Sequence, residues 1–371
     1  MRSLCSFVHR IALFSGGVAL TIGCALQEAP ETRSETQRLS APDAAADDIY
    51  GGAVGVSGDY AMVAAEWDDD DGKDSGAVWV FKKTETEWKR TQKLRVPDAS
   101  EGDNFGRSIA MGDDVAVIGA HWDNTAQHAN AGSAYVYRRS GSVWELEQKL
   151  LASNPATWDA MGNAVSILGN WIAVAACRKA LVGKESGVVY MFRFDGQKWK
   201  QTQILKSSDS ASMDQFGRGV WISGNALLVG AWRYDSKGPN SGAAYVFREH
   251  NGTWIEEQKL VPEDGKTGER FGFSVSLDGD VALVGAHKSA AGAHDSGPAY
   301  VFRFDGTSWA QEQKLAAFKP CKNASKGWAV ALQGDLAVVS EHYFYNKVLP
   351  RSPGTAFVYR RSDNHWRLIR Q

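Results

Sequence analysis

The sequence predicts an all-β fold, a β-propeller of six four-stranded antiparallel blades with about 55 residues per repeat. Three observations carry this. A Phe-Gly-like pair recurs at Tyr50-Gly51, Phe105-Gly106, Met161-Gly162, Phe216-Gly217, Phe271-Gly272 and Lys326-Gly327, in steps of 55, 56, 55, 55 and 55 residues. Trp88, Trp144, Trp199, Trp254, Trp309 and Trp366 keep the same beat, as do Gly76, Gly132, Gly187, Gly242, Gly297 and Gly354. Each copy holds four short strand patterns separated by turn signals, the spacing of an all-β chain rather than of βαβ units. Composition agrees, since 38 Gly and 14 Trp in 371 residues suit Gly-rich turns and aromatic strands.

The fifth copy shows the role of each element. Strand a, FGFSVSL at 271–277, alternates large and small side chains, which lets neighbouring copies approach closely. Asp278-Gly279-Asp280 is a tight turn in which Gly takes a positive φ at little steric cost. Strand b, VALVGA at 281–286, is continuously apolar and is expected to be buried on both faces. A variable loop leads through Ser296-Gly297 to strand c, AYVF at 299–302, which ends at the hairpin signal Asp305-Gly306. Strand d, SWAQEQKL at 308–315, is polar enough for an outer position. One such sheet cannot bury both faces, whereas six stacked radially can. The sixth d strand begins just as the chain ends, and residues 36–39 match the Gln-Lys-Leu of the other d strands. The N-terminal segment is therefore expected to join the last blade and close the ring.

The N-terminus has its own logic. Arg2, His9 and Arg10 precede an apolar run, so residues 1–23 read as a signal peptide, too short for a lasting membrane span. The run ends at Leu20-Thr21-Ile22-Gly23-Cys24, which resembles a bacterial lipobox and implies lipid attachment at Cys24; cleavage after Ala25 is the alternative. Residues 24–35 are a polar tether, and 36–371 form a single propeller domain. A bacterial outer-membrane or cell-surface lipoprotein is the expected location, with a periplasmic or secreted form as the alternative. Cys177 and Cys321 are the cysteines of the body and make no disulfide framework.

The stretches from Phe105-Gly106 to Gly119-Ala120, Phe216-Gly217 to Gly230-Ala231 and Phe271-Gly272 to Gly285-Ala286 resemble FG-GAP repeats, the blades of the integrin α-chain propeller and of bacterial exported proteins. The resemblance runs from Tyr50 to Gln371 and implies a propeller used for binding. The calcium loop of integrin repeats does not carry over, because the interval between strands a and b is only a Gly-Asp turn. The acidic run Asp68 to Asp71 also departs from a D-x-D-x-D-G loop, since Trp67 stands at the first ligand position. No metal or cofactor is expected.

Net charge is −2, which gives no electrostatic case for nucleic acid. No G-x-S-x-G, H-E-x-x-H or Walker motif occurs, and the many Asp fill turn positions. Individuality lies after strand b, where successive copies read Glu66, His121, Cys177, Trp232, His287 and His342, and next Trp67, Trp122, Arg178, Arg233, Lys288 and Tyr343. In a meander the b–c and d–a loops emerge together, so these rows should ring one mouth of the central channel. Aromatic and cationic groups there suit a glycan or an acidic peptide; alternatively they cap strand b and plug the channel. The three His fall in copies too far apart for one tetrahedral metal site. The expected protein is a monomeric, non-enzymatic binding module of the cell envelope with a protein or glycan partner. A carbohydrate lyase or hydrolase on a propeller scaffold, and a purely structural or adhesive surface protein, are the alternatives.

Overall fold

The computed structural model describes residues 37–43, 45, 47–288, 297–316, 324–343 and 355–370. The signal segment, Cys24, the tether and Cys321 lie outside them. The chain forms six four-stranded antiparallel sheets, each in the order a-b-c-d: a six-bladed β-propeller, with no helix among the described residues. Blade one is β1 (Tyr50–Ser57), β2 (Tyr60–Ala65), β3 (Ala77–Lys83) and β4 (Trp88–Leu94). Blade two is β5 (Phe105–Met111), β6 (Val115–Ala120), β7 (Ser133–Ser140) and β8 (Val143–Leu150). Blade three is β9 (Met161–Leu168), β10 (Trp171–Ala176), β11 (Val188–Phe194) and β12 (Trp199–Leu205). Blade four is β13 (Phe216–Ser223), β14 (Ala226–Ala231), β15 (Ala243–His250) and β16 (Thr253–Leu260). Blade five is β17 (Phe271–Asp278), β18 (Val281–Ala286), β19 (Ala299–Phe304) and β20 (Trp309–Leu315). Blade six is β21 (Ala324–Gln333), β22 (Leu336–Tyr343), β23 (Thr355–Ser362) and β24 (His365–Arg370).

The b strands of the first five blades are buried at every residue, as a continuously apolar strand between two neighbouring sheets must be. The d strands expose their polar residues outward. The a strands of consecutive blades pack against one another from blade one to blade six. Each departs from regular pairing near its start, with a register shift between Phe105 and Ser108 in blade two and between Phe271 and Ser274 in blade five. Such a bulge unpairs the residue after Phe-Gly and re-aims its side chain.

Hydrophobic clusters bridge consecutive blades from one to six, for example Phe105 and Tyr135 with Met62 and Val78, or Phe271 and Tyr300 with Leu228 and Val246. A second device recurs on the outside. A d-strand Gln donates its amide to a Trp carbonyl of the next blade and accepts that Trp's N–H, as Gln92 does with Trp144 at 2.8 and 2.9 Å and Gln258 with Trp309 at 2.7 and 2.8 Å.

The N-terminal segment corrects the sequence expectation. The last sheet already has its outer strand, β24, paired with β23, and residues 37–40 form no strand. Gln37 instead latches blade one, donating to the Trp88 carbonyl at 2.7 Å and accepting its N–H at 2.6 Å. Leu39 and Ala41 pack on the outer face of blade one against a cluster of Ala61, Val63, Trp79 and Phe81. The segment thus serves blade one as each d strand serves the blade after it. Replacing Gln37 and Leu39 together by Ala is expected to cost about 2 kcal/mol, from two lost hydrogen bonds and a partly buried Leu. Chemical denaturation checks this, and an unchanged midpoint would mean that the segment only rests on the surface.

Candidate functional site

Backbone hydrogen bonds tie the b–c loops of blades one, two, four and five to the segment that leads into strand a of the same blade. Trp67 N–H donates to the Asp48 carbonyl at 3.2 Å, Trp122 to Asp103 at 3.4 Å, Arg233 to Asp214 at 3.4 Å and Lys288 to Glu269 at 3.2 Å. The two sets of loops therefore share one end of the propeller, the upper end. A carboxylate in each of these d–a loops folds back on its own turn, as Asp103 does by accepting the Ser100 N–H at 2.7 Å and Asp214 the Ala211 N–H at 2.6 Å. Burial raises the pKa of both to about 6. Composition hid these carboxylates among the turn aspartates.

The first row after strand b is mostly inside. Glu66 is buried and pairs with Arg107 at 3.3 Å. Cys177 is buried, and burial raises its thiol pKa. Trp232 is 8% exposed, donates its indole N–H to Gln215 Oε1 at 2.7 Å and packs edge-on to Phe273. His287 is 2% exposed. These residues act as packing at the mouth, and Trp232 is not an open stacking platform. His121 is half-buried with its Nδ1 sealed from solvent, and Trp122 lies over its ring at 4.8 Å. In the second row Trp67 and Trp122 are 41% and 37% exposed, Arg178 is exposed, and Arg233 and Lys288 are half-buried. His342 and Tyr343 end β22, in register with Ser325 and Ala324, and their side chains lie outside the described residues.

A third row, invisible as a row in the sequence, completes the mouth. The bulges turn the residue after each Phe-Gly-like pair out of the sheet register: Gly52, Arg107, Asn163, Arg218, Phe273 and Trp328. Their contacts cross from blade to blade. Arg107 meets Glu66, the Asn163 amide donates to the Arg218 carbonyl at 3.5 Å, and the Arg218 guanidinium lies 4.1 Å from the Phe273 ring centre. Phe273 packs on His287 at 3.9 Å and on Trp328 at 4.8 Å. The signal that could have found this row is the variation between copies that exposed the other two.

The mouth therefore has an aromatic sector, Trp232, Phe273, His287 and Trp328, and a cationic sector centred on Arg107, Arg178 and Arg218. Burial, followed by the charges of Arg107, Arg178 and Arg218, holds the His121 pKa well below the usual imidazole value. Burial and the Arg270 and Arg218 charges push His287 down to about 2. Both rings are neutral at physiological pH. Arg270 Nη1 donates to His287 Nε2 at 3.4 Å, which puts the imidazole proton on Nδ1.

The acidic loop is answered by a lysine. Asp43, Asp68 and Asp70 converge closely enough to suggest a cation site, yet Lys93 Nζ sits among them at 3.0, 2.7 and 2.7 Å. Burial opposes the ammonium charge, and hydrogen bonds from Asp68, Asp70 and Asp43 more than offset this, raising its pKa. A second positive ion there would have to displace a bound one.

The sequence profile described as FG-GAP repeat matches residues 34–81, 88–137, 144–192, 199–247 and 254–302. No curated protein sequence matches the chain. Among solved structures, the fold is similar to a "putative 6-phosphogluconolactonase" from Bacteroides fragilis, with TM-score 0.54, 10% identity, and 84% of this chain and 80% of that one covered. A "putative 6-phosphogluconolactonase" from Bacteroides uniformis gives TM-score 0.56 at 10% identity, covering 84% and 81%. At this identity the likeness is one of propeller architecture alone. Five repeat matches over most of the length, on a propeller whose blades begin at each Phe-Gly pair, mean that the chain belongs to the FG-GAP repeat family.

Proposed function

We propose that this protein is an exported, lipid-anchored binding module of the bacterial cell envelope that captures a glycan or protein partner at its upper face and performs no chemistry. The observation that carries the reading is the contrast at that face. Three rows of side chains differ from blade to blade while the strands beneath them repeat, and positions released from packing are those available for recognition. Two exposed tryptophans, Trp67 and Trp122, stand in that rim, and exposed aromatic groups there suit a partner surface. Catalysis of glycoside cleavage would call for two carboxylates at the mouth. Glu66 is the carboxylate of the loop row, and Arg107 engages its charge.

The anchor fits this orientation. Gln37, the first described residue, binds Trp88 at the start of β4, beside the c–d turn at the lower end. A lipid on Cys24 would turn the lower end to the membrane and the upper end outward. Replacing Cys24 by Ser is expected to release the protein into the soluble fraction; persistent membrane association, or a mature N-terminus at Leu26 by mass spectrometry, would refute the anchor.

A glycan and peptide array on the mature domain tests the binding reading. For whatever ligand is captured, Trp122→Ala is expected to weaken affinity several-fold, since a stacked Trp contributes about 1–3 kcal/mol. Gln197→Ala, in an exposed c–d turn at the lower end, should leave affinity unchanged. Equal affinities for the two variants would place the site elsewhere.

A further inference from the structure

Arg218 is a recessed cation of the mouth that forms no ion pair with a carboxylate among the described residues. It is the third residue of β13, set in the bulge between Phe216 and Val220, and it is half-buried. Among the described residues no carboxylate lies within ion-pair distance of it and no acceptor receives its guanidinium, although Phe273 supports one face of the group at 4.1 Å. Arg107, its counterpart in blade two, has Glu66 at 3.3 Å. Guanidinium groups held away from bulk water are ordinarily paired, because their planar fork matches a carboxylate or phosphate. Arg218 is only half-buried, so part of its side chain meets solvent. Burial and the nearby Arg107 charge, partly offset by Cys177 and Glu66, lower its pKa to about 10.

The neighbours define the rest of the ligand. Trp328, on blade six, is half-buried and packs against the same Phe273 ring that Arg218 of blade four rests on. His287 and His121 are neutral and bring no competing charge. A cation recessed at the axis is approached by the end of a ligand rather than by its side.

We propose that the mouth binds a terminal anionic pyranose, a sugar ring carrying a carboxylate or a phosphate, with the anion on Arg218 and the ring against Trp328. This rests on the reading of the upper face as a binding surface and names the ligand class for it. Isothermal titration of the mature domain with glucuronate, glucose 6-phosphate, glucose and inorganic phosphate is the test. At least one of the two anionic sugars should bind, with glucose and inorganic phosphate roughly tenfold or more weaker. The better of glucuronate and glucose 6-phosphate identifies the anion.

Arg218→Gln should weaken that binding by roughly tenfold or more with the thermal midpoint little changed. Glu66→Gln, which frees Arg107, should tighten it, and this opposite response keeps the test decisive if Arg218→Gln folds poorly. Equal binding of glucose and glucuronate, no binding of either anionic sugar, or indifference to both substitutions would overturn the proposal. A neutral glycan whose binding depends on Trp122 and not on Arg218 would overturn this inference while leaving the upper-face reading standing. A ligand indifferent to both residues would remove the two together.

Discussion

Gly242→Ala is expected to destabilise the propeller by about 4 kcal/mol or more, enough to leave much of the chain insoluble. Gly242 precedes strand c of blade four at φ +88°, and a Cβ there would lie 2.0 Å from the carbonyl oxygen and 2.5 Å from the nitrogen of Phe271, the first residue of blade five. Phe271 N–H also donates to the Ser241 carbonyl at 2.9 Å, so the two backbones are pinned together at this point. Because the obstruction is backbone, no rotamer change relieves it, and the blades would have to separate. Gly279→Ala is the control. Gly279 lies in an a–b turn at φ +56° with nothing within 4 Å of an added methyl, so only the left-handed backbone cost of about 1–2 kcal/mol applies. Urea denaturation of the two variants decides the matter. A Gly242→Ala midpoint within error of that of Gly279→Ala would show that blade spacing is softer than the close approach implies.

The double substitution Lys326→Phe with Glu341→Ala is expected to be neutral to stabilising by about 1–4 kcal/mol, while Lys326→Met alone should cost about 3–5 kcal/mol. In five blades the first residue of strand a is Tyr, Phe or Met and pairs in register with an Ala that ends strand b, as Phe271 does with Ala286. Blade six has Lys326 opposite Glu341 in that register. Lys326 is fully buried, donates to the Ala316 carbonyl at 2.8 Å and the Tyr359 hydroxyl at 2.7 Å, and lies 4.1 Å from the Phe357 ring centre. Removing the cation alone sets an apolar side chain opposite the buried Glu341 in that register, whereas changing both restores the packing of the other blades.

The same pair predicts a pH dependence. Burial, partly offset by Glu341, lowers the Lys326 pKa to about 8 from an ordinary 10.5. Between these values the unfolded chain binds more protons than the folded one, so the contribution of this group to stability rises with pH. The penalty is complete below about pH 8 and is lifted by about pH 10.5, a span of about 3 kcal/mol. Buried tyrosines such as Tyr300, whose pKa burial raises, oppose this above pH 10 in every variant. The difference between wild type and the double variant from pH 7 to 9.5 isolates the lysine, and a constant difference would refute the assignment.

What the sequence determined by itself is the architecture. Turn glycines, the apolar b strand and the alternating c strand are local patterns, and six copies at one period make each confirm the others. The loop residues Trp67 and Trp122 could be placed at the upper end for the same reason. Tertiary structure decided what depends on neighbours distant in the chain. A bulge slips the register by an amount no strand pattern records, and so Arg107, Arg218 and Phe273 read as strand interior although they form the mouth. Trp232 looked like an exposed ring until Phe273 and Gln215, from other strands, enclosed it. In blade three the d strand has Ile204 where blades one, two, four and five have Lys, and Lys179 from the b–c loop reaches Asp159 at 2.8 Å instead. Residues 36–39 carry a d-strand pattern, but β24 already pairs with β23, and Gln37 found its hydrogen bonds on Trp88. Periodicity fixes which residues can be strand; burial and charge pairing are settled only when separate blades meet, because desolvation and ion pairing depend on what fills the last few ångströms around each group.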